Sequence, residues 1–210
     1  MSQLTQFLGS YRFLPAIAAP CAAIAILLIE RRSLKIYLLA FQYAMVSWLV
    51  VMTLSLESAL AKLVAGLIAV FILYMGAIWA AGDLEYKSHE EGFPRGRVFR
   101  VTAILLVVIG TIGLSSGTWL PVDSLSPGIR RAAMLLVFLG ILGVGLYVDT
   151  LQIGISLITV VSGFEIIYSA LEPSLAVIAL LALVHLGIAL VIGYFEIVSI
   201  EAEQEGEPGR

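Results

Sequence analysis

Of 210 residues, 60% are hydrophobic and 13% are charged, about half the charged share of a soluble domain, which excludes a water-soluble globular protein. The formal net charge of -3 gathers in the tail Glu201–Arg210 and points to no nucleic-acid partner. A lone cysteine, Cys21, excludes an internal disulfide and any iron–sulfur or cysteine-built zinc site.

The chain reads instead as an all-α fold, a polytopic transmembrane helix bundle of about seven helices. Its apolar blocks approach the ~20 residues that a helix needs to cross ~30 Å of hydrocarbon. They run Phe13–Ile29, Ile36–Leu56, Ala59–Ala81, Val98–Leu114, Ala132–Val148, Leu151–Leu171 and Ser174–Val198. Pro15 and Pro20 each remove a backbone donor, so the first block is expected to be kinked or irregular at its start. It lacks the pattern of a cleaved leader and is read as a retained span.

Two connections are longer than a hairpin needs: Gly82–Arg97, with His89 and Pro94, and Ser115–Arg131, with Trp119, Pro121 and Pro127. Trp119 is expected at a membrane interface. Gly140, Gly143, Gly145 and Gly154 predict close helix approach, because small residues let backbones touch in lipid. The chain divides into four N-terminal helices with polar loops (1–128), a three-helix unit (129–198) and a polar tail (199–210). A tail so rich in glutamate has nothing of its own to pack on, and a partner subunit is expected to hold it.

Arg31, Arg32, Lys35, Lys87, Arg95, Arg97 and Arg100 fall on one side, against Arg12, Lys62, Arg130 and Arg131 on the other. Basic loops resist translocation, so the N-terminus is predicted outside and the C-terminus in the cytoplasm.

The informative residues are the polar ones inside the blocks. An ionisable side chain there costs roughly 2.5–3.5 kcal/mol on insertion scales and normally faces protein or water. Glu165 has apolar chain on both sides, and His185 lies deep in the last block. The short Glu172-Pro173 turn makes the sixth and seventh helices antiparallel, which brings Glu165 within roughly two helical turns of His185. Ser162, Tyr168 and Ser169 share the face of Glu165 at helical spacing and supply hydroxyls for a proton wire.

Two readings of this pair stand side by side: a proton relay, or interhelical glue worth about 0.6 kcal/mol. Lys62, near the start of its block, either snorkels to the surface or joins the relay. Glu57, Asp149, Glu172 and Glu196 lie near block ends and read as interfacial, with Asp149 placed to feed a path from the cytoplasmic side. Gln42 and Tyr43 read as packing. No phosphate loop, metal-ligand cluster or nucleophile triad occurs, and His185 lacks a second haem ligand. Catalysis by the chain alone and a bound cofactor or metal are therefore not expected.

The segment Gly163-Phe164-Glu165-Ile166-Ile167-Tyr168-Ser169-Ala170 resembles the three-helix K subunit of respiratory complex I, whose second helix carries a Gly-Leu-Glu pattern. The likeness covers about Ile129–Val198 and matches the glutamate to Glu165. The family's second acidic residue falls at His185, before Leu-Gly-Ile-Ala-Leu. With four helices ahead of this trio, the whole chain is similar to the E-type membrane subunit of formate-hydrogenlyase-type (group 4) hydrogenases. A lysine is typical of the third helix there, and Lys62 in Ala-Leu-Ala-Lys-Leu-Val matches it.

The resemblance implies an accessory subunit of a complex I-like or hydrogenase-like assembly in a prokaryotic inner or plasma membrane. Its partners would be antiporter-like and quinone- or hydrogenase-module subunits, with Glu165, His185, Lys62, Tyr168, Ser162 and Asp149 on a proton path. A subunit of a multisubunit cation/proton antiporter and a purely structural membrane anchor are the alternatives.

Overall fold

A computed structural model describes residues 13–51, 56–81, 96–115, 125–171 and 174–205 of the chain. Within them lie seven α-helices and no strand: α1 Phe13–Leu28, α2 Arg32–Val51, α3 Leu56–Ala81, α4 Arg97–Ser115, α5 Pro127–Leu146, α6 Thr150–Leu171 and α7 Leu175–Glu205. The helix bundle expected from the apolar blocks is the observed architecture. Arg12, Lys87, His89, Arg95, Trp119, Glu172 and the side chain of Glu57 lie outside the described residues.

Six of the helices are long and apolar enough to cross a membrane, which is the architecture of an integral membrane protein. The exception is α1. Its 16 described residues reach about 24 Å at 1.5 Å each, and the residues before Phe13 lie outside the described part of the chain. α1 is continuous through both prolines. Pro15 sits in the first turn, where a missing N–H leaves no helical bond unmade, and Pro20 removes one bond from a helix that packing holds on both sides.

The helix ends follow local chemistry. α5 begins at Pro127, five residues before its apolar block, because proline suits the first helical position and Arg130 gains a partner there: its guanidinium donates to the Ser115 carbonyl at the end of α4, at 3.3 Å. α5 stops at Leu146, and Tyr147 is extended. Asp149 then starts α6, its carboxylate accepting from the Gln152 amide at 3.2 Å as an N-cap does. α7 spans 31 residues, about 46 Å, so the polar segment through Glu205 continues a membrane helix instead of forming a separate tail.

α2 and α6 are the inner pair. α2 packs on α1, α3 and α6, while α6 packs on α5, α7 and α2, and α3 lies along α7. The apolar window of α6 is 56% buried against 22% for α4, so α4 is peripheral. One apolar cluster, including Leu27, Leu49, Ile104, Leu136 and Ile166, joins α1, α2, α4, α5 and α6. A second, including Ile36, Leu39, Tyr43, Leu73, Ile158 and Ile192, is centred on α2, α3, α6 and α7 and surrounds the polar site described below.

Lipid is as apolar as leucine, so close packing draws these helices together more than water exclusion does. The closest seam is α5 against α6. A Cβ on Gly163 would stand 2.6 Å from the Ala133 carbonyl oxygen, and one on Gly140 would stand 2.7 Å from the Val160 backbone nitrogen. Gly143 meets Ser156 and Gly154 meets Ile192 in the same manner. Gly145 departs from expectation: it faces open space on the exposed side of α5 and makes no close approach.

Candidate functional site

Three ionisable side chains from three helices meet inside the bundle. Lys62 of α3, Glu165 of α6 and His185 of α7 are each about 3% exposed. The Lys62 ammonium is ion-paired with Glu165 Oε2. His185 Nδ1 lies 4.0 Å from the same carboxylate oxygen. Glu165 and His185 are thus neighbours, as the antiparallel turn predicted, but the direct partner of the carboxylate is Lys62. The lysine does not snorkel. α3 turns it toward α6, and the packing of α3 along α7 closes it in.

The orientation of the imidazole sets what it can do. Nδ1 lies 2.8 Å from the Leu181 carbonyl, which can only accept, so Nδ1 carries a proton. In the neutral ring Nε2 is then the acceptor, and the Ser162 hydroxyl, 3.3 Å away, donates to it. The basic nitrogen therefore faces Ser162, one turn before Glu165, and not Glu165 itself. A proton taken up by the neutral ring thus enters at Nε2, from the Ser162 side.

Tyr43 of α2 completes the cluster. Its ring lies 5.6 Å from that of His185, and its buried hydroxyl stands beside Ser162 without a hydrogen-bond partner of good geometry. Gly66 of α3 makes room for it, since a Cβ there would run into the Tyr43 ring. Tyr43, Lys62, Gly66, Glu165 and His185 line a small cavity on the scale of a single water molecule. Tyr43 had read as packing. The sign of its role was available, since it sits beside Gln42 and one turn before Ser47 in a block that is mostly apolar.

The other expected members lie elsewhere. Tyr168 is half-exposed and stacks on the exposed ring of Phe164, centroids 5.5 Å apart, on the outer side of α6. Ser169 is buried and donates to the Ile166 carbonyl of its own helix at 3.0 Å. Asp149 is 16 residues before Glu165, about 24 Å along α6, and belongs to a second charged cluster.

That cluster ties together the starts of α2, α4 and α6 and the far part of α7. Arg32 forks between Asp149, at 2.5 Å, and Glu196, at 3.0 Å. The second oxygen of Glu196 accepts from the Leu151 amide at 3.1 Å, one of the free donors at the start of α6. Glu196, expected at the interface, is 4% exposed, because it reaches inward to this arginine and amide. The Lys35 ammonium and the Arg100 guanidinium lie 5.2 and 5.6 Å from the centre of the Tyr147 ring. Arg100 also pairs with Glu30 at 3.8 Å. Of the basic residues that sequence placed on one side of the membrane, Arg32, Lys35 and Arg100 share this end of the bundle; Lys87 and Arg95 lie outside the described residues.

Among the described residues, no group of three or more His, Cys, Asp or Glu could hold a metal ion. Compared with models of protein families, with curated proteins and with solved structures, the chain matches none.

Proposed function

We propose that the chain is an accessory membrane subunit of a complex I-like or membrane-hydrogenase-like assembly, in which Lys62, Glu165 and His185 carry protons in step with redox chemistry in partner subunits. The carrying observation is the buried Lys62–Glu165 ion pair with an imidazole 4.0 Å from the same carboxylate oxygen. Each ionisable group costs roughly 2.5–3.5 kcal/mol to insert, whereas serine or asparagine would hold two helices together for less. Three titratable groups on three helices favour transfer over adhesion. On this reading Glu165 is the central carrier, Lys62 links it toward an antiporter-like subunit, and His185 exchanges protons through Ser162. The chain resides in a prokaryotic inner or plasma membrane, with the Arg32–Asp149–Glu196 end toward the cytoplasm.

Glu165→Gln is the test, made in membranes that hold the chain with its native partners. Coupled proton translocation is expected to be lost while the partners still comigrate on a native gel. Normal translocation in that variant overturns the proposal. A structural anchor has one observation in its favour, the mutual neutralisation of Lys62 and Glu165, and it predicts unchanged activity in both Glu165→Gln and His185→Ala. Salt-dependent proton flux without a hydrogenase or quinone-reducing partner would select the antiporter alternative.

A further inference from the structure

Between the two charged clusters runs a ladder of polar side chains, of which the relay uses only the Ser162–Glu165 end. On α6, Asp149, Gln152, Ser156, Thr159, Ser162 and Glu165 follow one another at steps of three or four residues. Residues so spaced are neighbours on a helix surface, about 5–6 Å apart between Cβ atoms, so the ladder winds without a break from the bundle end to the buried carboxylate. Gln152, Ser156, Thr159 and Ser162 are all buried, Gln152 completely. The side chain of Asp149 is 31% exposed, which opens the ladder at that end.

The hydroxyls are satisfied locally, Ser156 donating to the Gln152 carbonyl at 2.7 Å and Thr159 to the Ile155 carbonyl at 2.8 Å. The amides are not. Gln42 of α2 donates through Nε2 to Thr159 at 3.3 Å, but among the described residues its Oε1 has no protein partner. Neither does either side-chain polar atom of Gln152, and the Tyr43 hydroxyl has only Ser162 beside it, out of good hydrogen-bond geometry. Lipid offers nothing to such groups, and a buried polar atom inside a membrane protein is satisfied by protein or by water. Three side chains along the α2–α6 seam thus present free donors and acceptors beside a continuous ladder of hydroxyls.

We infer that this seam is a water-lined proton path joining Glu165 to solution at the end of the bundle where α2, α4 and α6 begin, with Gln152 and Gln42 holding its water. The inference rests on the proton-carrying role proposed for Glu165. Each water accepts a proton from one neighbour and donates one to the next, and the amides hold water without changing charge. Asp149 and Glu165 are the ionisable ends. Arg32, which bridges Asp149 and Glu196 across the mouth, sets the field there.

Two measurements test it, both in membrane vesicles holding the chain with its partners. In a Cys21→Ala background, Gln152→Cys and Thr159→Cys are labelled with a small cationic methanethiosulfonate reagent in vesicles of each orientation. Both are expected to react from the Asp149 side and much faster than Leu157→Cys, a control seven residues before Phe164 on the outer face of α6. Equal rates at all three positions overturn the path. Separately, Gln152→Leu is expected to slow coupled proton flux by about tenfold or more, and Glu165→Gln to abolish it. Flux lost in Glu165→Gln but normal in Gln152→Leu overturns the path and leaves the role of Glu165 standing. Normal flux in Glu165→Gln overturns both.

Discussion

Lys62 and Glu165 neutralise each other where neither has water to fall back on. Removing one partner of a buried ion pair typically costs about 3–5 kcal/mol, whereas replacing both by groups of similar shape is close to neutral. Lys62→Met is therefore expected to lower stability by about 3 kcal/mol, and Lys62→Met/Glu165→Gln to recover most of that loss. Denaturant titration of the four proteins of the cycle in detergent measures it, and additive losses would show that the pair is not coupled. The sequence identified Glu165 and His185 from their depth within apolar blocks. For Lys62 it left two orientations open, since a residue one to two turns inside a helix reaches either the surface or a neighbour, according to how the helix is rotated. The link from His185 to Ser162 was equally hidden, because a ring's acceptor atom is set by the carbonyl its other nitrogen finds.

Two helix pairs carry most of the information at the scale of elements. α5 and α6 touch backbone to backbone at Gly163 and Gly140, and this contact fixes the rotation of α6 that turns Glu165 inward. Gly163→Ala would press a methyl group against the Ala133 carbonyl and the Val137 nitrogen, atoms that cannot move aside without moving α5. A loss of about 1–3 kcal/mol is expected. Gly110→Ala, on the open face of α4, is expected to be neutral or to gain up to ~1 kcal/mol from helix propensity. Equal midpoints for the two variants in a denaturant titration would argue against the seam. The polar ladder on α6 was fully legible from residue spacing, although the sequence reading gathered only its ends, Asp149 and the Ser162–Glu165 turn. The matching groups on α2, Gln42 and Tyr43, acquire meaning only once α2 is known to lie beside α6.

Across the whole molecule the helices alternate in direction, so the starts of α2, α4 and α6 and the later part of α7 share one end. Arg32, Lys35, Arg100, Asp149 and Glu196 collect there. Basic residues at one end set the expected topology. A reporter fused at the C-terminal end is expected to be active only if it requires the cytoplasm, and one at the N-terminal end only if it requires the outside. The reverse pattern would place the mouth of the polar seam on the outer face.

By itself the sequence determined that this is a membrane-spanning helix bundle, with its helices close to where they are observed and two deep ionisable groups on consecutive helices. Bilayer thickness imposes length and apolarity on each span separately, so those properties are written locally in the chain. Only the tertiary structure decided that Glu165 pairs with Lys62, that His185 turns its acceptor to Ser162, that Glu196 is buried on Arg32, and that Tyr168 faces outward. The physical reason is that lipid and protein interior are equally apolar. Hydrophobic patterning then gives little sign of which face of a helix meets protein, and glycine contacts between backbones make that choice.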